Sequence, residues 1–565
     1  MDEKAAAQSP GLVRTKYIYL AAAVAFLTLA GYFIVPGHVY LYSDTQIYVP
    51  ELEKHWDPGL FSGDILVQHS QFRFTIYHEV AWLLRRVTGL GYFPVLAAQQ
   101  LLFRAAAVLG ILLIANAFQL SLRTALLAAA ACSLGSLHTA AGVLVLEYEP
   151  VPRGFAVPLL LLAVGLIAHR RRLGGNLSAS LAFLYHPPAT VPFWAVYSSL
   201  AVFRMATGRI RHHLAAFWPL LAACMILVVL SRLQPGGAAV LPVFKTIEPE
   251  MEQLQRMALP WNWVSMWGGY WYRHYVMLWV ICLVAFLRVR KYADEDLKSL
   301  LFGLPLFGLI SIPLSYLLLE KLKWAFMTQI QLGRAVMFLT AFAGILPAVA
   351  GLKAVARRSY AESMLWFCIV FSLPGQLGVS HFFSGLADPL IRQRILVVAA
   401  LAALYVAAAW AQIAVARWRT PALVAALVVP FVLIAYVAKV PRYAQPGGPE
   451  LEELARWAGA ATSKDAVFLF PDAGRELYPG VFRAKALRAV FVDWKSGAYV
   501  NFSRPFAYEW LRRWRQTMAR GFDPSAAGSY AALGIDYVVL RLPHSLPGRE
   551  PVFRNRTFVA YQMWP

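Results

Sequence analysis

Residues 17–35 read YIYLAAAVAFLTLAGYFIV, and shortly after them residues 40–64 read YLYSDTQIYVPELEKHWDPGLFSGD. The first run is apolar and long enough to cross a bilayer as a helix. The second places Asp44, Glu51, Glu53, Asp57 and Asp64 among aromatic rings at what would be a membrane edge. Taken singly, each acid has a plain explanation as a helix cap in a solvated loop. Asp44 invites a further reading. In Ser43-Asp44-x-x-x-Tyr48-x-Pro50 a helix would set Asp44 and Tyr48 one turn apart on one face. An acid held there can deprotonate an acceptor hydroxyl or bind a cation, and both serve group transfer from a lipid carrier.

Composition supports the membrane reading. The chain of 565 residues is 59% hydrophobic and only 15% charged, against about 25% charged in an ordinary soluble domain. Its mean hydropathy is +0.54. The class is a polytopic α-helical membrane protein. The formal charge of +22 is no sign of nucleic acid, because the basic residues cluster in short turns between apolar runs, as the positive-inside rule expects. Membrane lipids with anionic headgroups are the expected partner. Cys132, Cys224, Cys282 and Cys368 all fall in apolar segments, which argues against a disulfide framework or a zinc site. Residues 1–15 read as the basic flank of an uncleaved signal anchor.

The expected spans are 17–35, 92–118, 124–146, 155–168, 177–203 in two pieces, 214–230, 275–287, 300–319, 335–352, 364–379, 395–415 and 423–438. That makes about thirteen transmembrane helices. His186-Pro187-Pro188 divides the stretch 177–203, and two short spans meeting there return the basic cluster 204–211 to the cytoplasm. Residues 72–87 read as an interfacial helix ended by Gly89 and Gly91. The transmembrane part is thus 1–440, with outer loops at 37–91 and 233–274. The second loop carries Trp261, Trp263, Trp267, Tyr270, Trp271 and Tyr272, read as an aromatic belt at the headgroups or as a platform for sugar rings or a lipid chain. Residues 441–565 read as a small extracytoplasmic α/β domain. Its expected elements are a helix at 451–458 ended by Gly459, strands at 466–470 and 489–493, a helix at 506–518, a strand at 536–540 and a strand pair within 553–562.

Ionisable groups near membrane depth are costly and are candidates for function. Besides Asp44, Tyr48 and Asp64, these are Glu147, Glu149 and Arg153 on one short turn, His186 at the helix-splitting turn, and Gln331-x-x-Arg334 at the start of a span. Glu147, Glu149 and Arg153 could bind a cation or pair with one another. His186 could simply cap a helix. Arg334 suits bidentate binding of phosphate, or else snorkels to the surface. Arg104, inside a span, requires a partner. No nucleophile elbow, HExxH, P-loop or CxxC pair is present.

Together these features resemble the GT-C superfamily of integral-membrane glycosyltransferases, which includes protein O-mannosyltransferases and lipid A aminoarabinose transferases. The likeness rests on Tyr42-Ser43-Asp44, Asp57-Pro58-x-Leu60-Phe61-x-x-Asp64, Glu149-x-x-x-Arg153-Gly154-Phe155, His186-Pro187 and Gln331-x-x-Arg334. The resemblance implies sugar transfer from a polyprenyl-phosphate donor to a lipid, glycan or protein acceptor in a bacterial inner membrane, while Arg14 and Lys16 and the odd number of spans set the N-terminus in the cytoplasm and the C-terminal domain outside. It implies Asp44 as general base or as ligand of a divalent metal ion, Glu147 or Glu149 as second-loop acid, and Arg334 on the donor phosphate. Tyr48, Asp64, Arg153, His186 and Gln331 would line the substrate site. Ser43-Asp44-Thr45 stands where many members carry adjacent acids, which sets metal dependence apart as an open expectation. The alternatives are a lipid or polysaccharide transporter or flippase, and a non-catalytic envelope assembly protein. A transporter predicts ionisable groups continuing through the bundle and an internal repeat.

Overall fold

The computed structural model describes residues 10–33, 37–69, 74–133, 137–138, 143–205, 217–233, 244–372, 447–519 and 521–564. Four of its helical stretches are long and apolar enough to cross a membrane: Tyr92–Ala117, Gly269–Tyr292, Glu295–Lys321 and Met327–Ala356. Shorter apolar helices accompany them at Ile18–Phe33, Leu122–Cys132, Pro152–Ala168 and Trp218–Leu233. The chain is a mostly helical membrane protein with a small C-terminal β/α unit. The spans expected at 395–415 and 423–438, and the end of that at 364–379, lie outside the described residues.

From the N-terminus, α1 is Pro10–Phe33, α2 Thr45–Trp56, α3 Ile65–Gln68, α4 Tyr77–Thr88, α5 Tyr92–Ala117, α6 Leu122–Cys132, α7 Pro152–Ala168, α8 Arg172–Tyr185 and α9 Pro187–Met205. Gly89 ends α4 with φ 71°, a left-handed conformation that glycine adopts without steric cost. The helix lies on the acidic segment, its Arg85 paired with Glu53 at 2.8 Å and stacked over Trp56. The division expected at His186-Pro187-Pro188 is present, since α8 stops at Tyr185 and α9 begins at Pro187.

The span expected at 124–146 is not a through helix. α6 ends at Cys132, and two short antiparallel strands follow, β1 (Leu137–His138) and β2 (Val143–Leu144). A helix of 11 residues rises only about 16 Å, roughly half of a bilayer core. The serines, glycine and histidine between Ser133 and His138 interrupt the apolar run. The aromatic tract also departs from a headgroup belt. Trp263, Trp267 and Trp271 are buried, and the Arg256 guanidinium lies 4.2 Å from the Trp263 ring centre.

Within the bundle α5 and α7 meet where glycines face each other. A Cβ on Gly110 would stand 2.5 Å from the Leu161 carbonyl carbon, and one on Gly165 would stand 2.8 Å from the Gly110 carbonyl oxygen. Small residues let membrane helices approach this closely and gain dispersion along their length.

The C-terminal unit is a five-stranded sheet with helices. Its strands are β3 (Val467–Leu469), β4 (Ala489–Val490), β5 (Tyr537–Arg541), β6 (Phe553–Arg554) and β7 (Phe558–Gln562). The order is β4-β3-β5-β7-β6, with β3 parallel to both β4 and β5, and β7 antiparallel to β5 and β6. The helix Pro449–Ala461 runs through Gly459 instead of ending there. The Arg488 guanidinium accounts for this: it donates to the carbonyls of Gly459 at 2.9 Å and Thr462 at 2.7 Å, satisfying the end of the longer helix.

This unit is bolted to the first loop by buried charges. Arg483 donates to Asp64 at 2.6 Å and also to Asp493, all three side chains being almost wholly buried. Asp64 accepts the Val490 N–H at 2.9 Å as well, so β4 and the end of the loop are joined through one carboxylate.

The glycine contact yields a direct expectation. Gly110→Ala should lower the stability of the purified protein in detergent by about 1–3 kcal/mol through overpacking, seen as a lower midpoint of thermal unfolding. An unchanged midpoint would mean that α5 and α7 do not depend on this approach.

Candidate functional site

Glu149 is placed by the start of α2. Its carboxylate accepts the backbone N–H groups of Ser43 at 2.9 Å, Asp44 at 3.0 Å and Thr45 at 3.4 Å, and the Thr45 hydroxyl at 2.5 Å. These are N–H groups that a helix N-terminus leaves unpaired, and a negative charge there also meets the favourable end of the helix dipole. Burial, and then the Asp44 charge, push Glu149 above the usual carboxylate range against those hydrogen bonds. Asp44 is itself the N-cap residue of α2, yet its side chain does not cap the helix. It is turned toward cations instead.

One of those cations is Arg153, at the start of α7. Its Nη1 donates to Asp44 Oδ2, and its Nε donates to Glu147 Oε1 at 2.6 Å. The second is Lys495, from the C-terminal unit, whose Nζ donates to Asp44 Oδ1 and, at 2.7 Å, to the Ser43 hydroxyl. Burial alone would raise the Asp44 carboxyl, but the charges of Lys495 and Arg153 and their hydrogen bonds outweigh it and hold Asp44 well below the usual range. For Glu147 burial prevails over Arg153, and its carboxyl is raised. Gly154 lets the turn close, since a Cβ there would stand 2.7 Å from Glu147 Cβ. Beneath the turn Arg104 finds the partners it requires in backbone carbonyls: Gly31 at 3.1 Å, Gly37 at 2.6 Å and Glu147 at 2.8 Å.

On its other side Arg153 lines a narrow cleft together with His186, Pro188, Gln331 and Arg334. His186 caps α9, accepting the Ala189 N–H on Nδ1 at 3.2 Å. Burial, followed by the charges of Arg334 and Arg153, lowers its pKa to about 3, so the ring is neutral. Gln331 has φ 51° and ψ 50° between the short helix Met327–Ile330 and the 3-10 turn Leu332–Ala335. A non-glycine residue in that region is costly and marks a place where the surroundings dictate the backbone. The bend sets Arg334 against the cleft, where its Nε is shut off from solvent without a hydrogen-bond partner among the described residues. Tyr48, one turn along α2 from Asp44, stacks at a tilt 5.5 Å from the Tyr77 ring, and burial followed by the Asp44 charge raises its phenol.

The structure therefore gathers Asp44, Tyr48, Glu147, Glu149, Arg153, His186, Gln331 and Arg334 around one place. Asp64 belongs to the Arg483 anchor. Lys495 is the site residue that sequence reasoning missed. Residues 493–497, Asp-Trp-Lys-Ser-Gly, carry no motif, and only the docking of the C-terminal unit brings Lys495 to Asp44. A divalent metal does not fit the side chains as placed. Both Asp44 oxygens hold cationic side chains, and Glu149 is spent on N–H groups. Among the described residues no group of three His, Cys, Asp or Glu side chains gathers as a ligand set.

Comparison with known proteins places this geometry in a fold. Two crystal structures of ArnT from Cupriavidus metallidurans are similar over 99% of both chains at 11% identity, one in the apo state with a TM-score of 0.51 and one bound to undecaprenyl phosphate with a TM-score of 0.54. The chain has the GT-C-like fold of these membrane proteins. A family model described as a domain of unknown function (DUF6798) matches residues 449–520, a stretch that includes Arg483, Asp493 and Lys495. No curated protein matches the chain.

Because Arg153 serves the buried Glu147 carboxylate and the partly buried Asp44 carboxylate, Arg153→Met should destabilise the protein by about 3–5 kcal/mol near neutral pH. Glu147 is already raised by burial. Without Arg153 the folded state binds its proton still more readily than the unfolded chain does, so stability is recovered as pH falls. The deficit relative to wild type should shrink as pH falls from neutral toward the ordinary carboxylate range. A deficit independent of pH in thermal melts would count against the ion-pair account.

Proposed function

We propose that this chain is a membrane glycosyltransferase that moves a sugar from a polyprenyl-phosphate carrier to a lipid, glycan or protein acceptor on the extracytoplasmic face of a bacterial inner membrane. On this reading about thirteen helices span the membrane, the N-terminus is cytoplasmic, and the C-terminal unit lies outside. The observation that carries the proposal is Arg334, whose buried Nε has no partner among the described residues and which shares its cleft with Arg153. A guanidinium withdrawn from water is costly until an anion meets it, and its planar fork suits a phosphate. The fold is also that of a protein seen with undecaprenyl phosphate bound.

In the reaction so drawn, the acceptor oxygen forms a bond to the anomeric carbon of the donor and gives its proton to Asp44. The bond from that carbon to the phosphate oxygen breaks, and the carrier phosphate leaves with the electron pair against Arg334. The phosphate leaving group supplies much of the activation, so the protein chiefly orients, deprotonates and balances charge. Arg153 fixes the direction of Asp44 and is itself fixed by Glu147. Glu149 holds the start of α2, and through it Asp44, in place. His186, neutral across the working range, offers a hydrogen bond, while Tyr48 and Gln331 line the substrate site. Asp64 acts at a distance by seating the loop.

The test separates base from phosphate site. Asp44→Asn should reduce sugar transfer by a factor on the order of 10²–10⁴ while undecaprenyl phosphate still binds. Arg334→Met should weaken binding of undecaprenyl phosphate about 10–100-fold and leave binding of undecaprenol, which lacks the phosphate, unchanged. Full transfer by the first variant would remove Asp44 as base, and undiminished phosphate affinity in the second would remove Arg334.

A further inference from the structure

Asp44 carries two cations, and a carboxylate held that far below its usual range is a poor base. One of the two must withdraw before Asp44 can take a proton, and their surroundings differ. Arg153 is forked between Asp44 and Glu147, with the Gly154 backbone pressed against Glu147. Lys495 is a single ammonium on a flexible stem. Of its three N–H donors, one goes to Asp44 and one to Ser43, and the third has no acceptor among the described residues. Its side chain is 11% exposed, beside an Asp44 side chain at 20% and an Arg153 side chain at 14%, so what sets it apart from Arg153 is its single contact to a carboxylate and its flexible stem.

The backbone beneath Lys495 is held firmly. The Asp493 carboxylate accepts the Ser496 N–H at 2.9 Å and a bond from Arg483. The Asp493 carbonyl accepts the Ser496 hydroxyl at 2.8 Å and the Trp510 indole N–H at 2.9 Å. A Cβ on Gly497 would stand 2.6 Å from the Trp510 ring. Motion at this point is therefore motion of the Lys495 side chain, about a fixed pivot supplied by the C-terminal unit.

We propose that Lys495 is a shared cation: it masks Asp44 while the site is empty and passes to the donor phosphate when the lipid arrives, uncovering Asp44 as the base at that moment. The C-terminal unit thereby contributes a binding residue to a site otherwise built by the first outer loop, the turn 147–153 and the membrane helices. The inference rests on the transferase reading, in which the anion is a polyprenyl phosphate. The exchange breaks one ammonium–carboxylate contact and forms one ammonium–phosphate contact, and Arg153 stays on Asp44 throughout.

A binding cycle on the full-length protein tests it, with undecaprenyl phosphate as probe and undecaprenol as control. Lys495→Gln should weaken the phosphate lipid about tenfold, and Lys495→Arg should restore most of that loss. Asp44→Asn removes the competitor for the ammonium, so it should tighten the phosphate lipid about tenfold when Lys495 is present and no more than about threefold in the Lys495→Gln background. Equal tightening in both backgrounds, or wild-type affinity in Lys495→Gln, would overturn the shared cation and leave Lys495 as a tie between the two parts of the chain. A wild-type protein that binds undecaprenol as tightly as undecaprenyl phosphate would instead overturn the transferase reading.

Discussion

An ion taken out of water must find its compensation inside the protein, and this constraint shapes both ends of the segment 44–64. At one end Arg153 lies between Asp44 and Glu147, and at the other Arg483 lies between Asp64 and Asp493. The device is the same in both places: one planar guanidinium whose separate nitrogens reach two carboxylates. Arginine can do this where lysine cannot, because its donors point in fixed and different directions. Losing any one member strands a buried charge, which is far more costly than the net worth of the intact group.

The two groups differ in their access to solvent. Around Arg483 the two carboxylates hold β4 and the loop together and the side chains are closed off from solvent, Nη1 of Arg483 having no hydrogen-bond partner among the described residues. Around Arg153 the arrangement is incomplete. Asp44 has a second cation in Lys495, and Arg334 across the cleft has a guanidinium nitrogen without a partner among the described residues. An anion entering the cleft would meet the guanidinium groups of Arg153 and Arg334. Rigidity comes from outside the cluster, from Glu149 on the N–H groups of α2, Arg104 on three carbonyls, and the strained turn at Gln331.

Some expectations failed for reasons visible in particular residues. Gly459 looked like a helix stop because glycine favours C-termini, but Arg488, distant in sequence, supplies acceptors with donors and lets the helix run to Ala461. The apolar stretch after Thr124 looked like one span because hydropathy averages over a window, whereas α6 stops at Cys132 and a β1–β2 hairpin follows. Trp263, Trp267 and Trp271 resembled a headgroup belt by composition, yet they pack inward. Burial of an aromatic ring depends on which surfaces come together around it, and no local pattern carries that.

What the sequence determined by itself was the membrane class, most of the helices, the break at His186-Pro187, and the candidate acids and arginines. These follow from local rules: apolar length, the restriction that proline places on its neighbour, and the cost of charge near lipid. Tertiary structure alone decided how those candidates divide. It put Asp64 in an anchor and Glu149 on a helix start, left Arg334 facing a cleft, and brought Lys495 across some 450 positions of chain to Asp44. The reason is physical. An ion pair acts over a few ångströms and is indifferent to distance along the chain, so its partners become known only when the fold has closed.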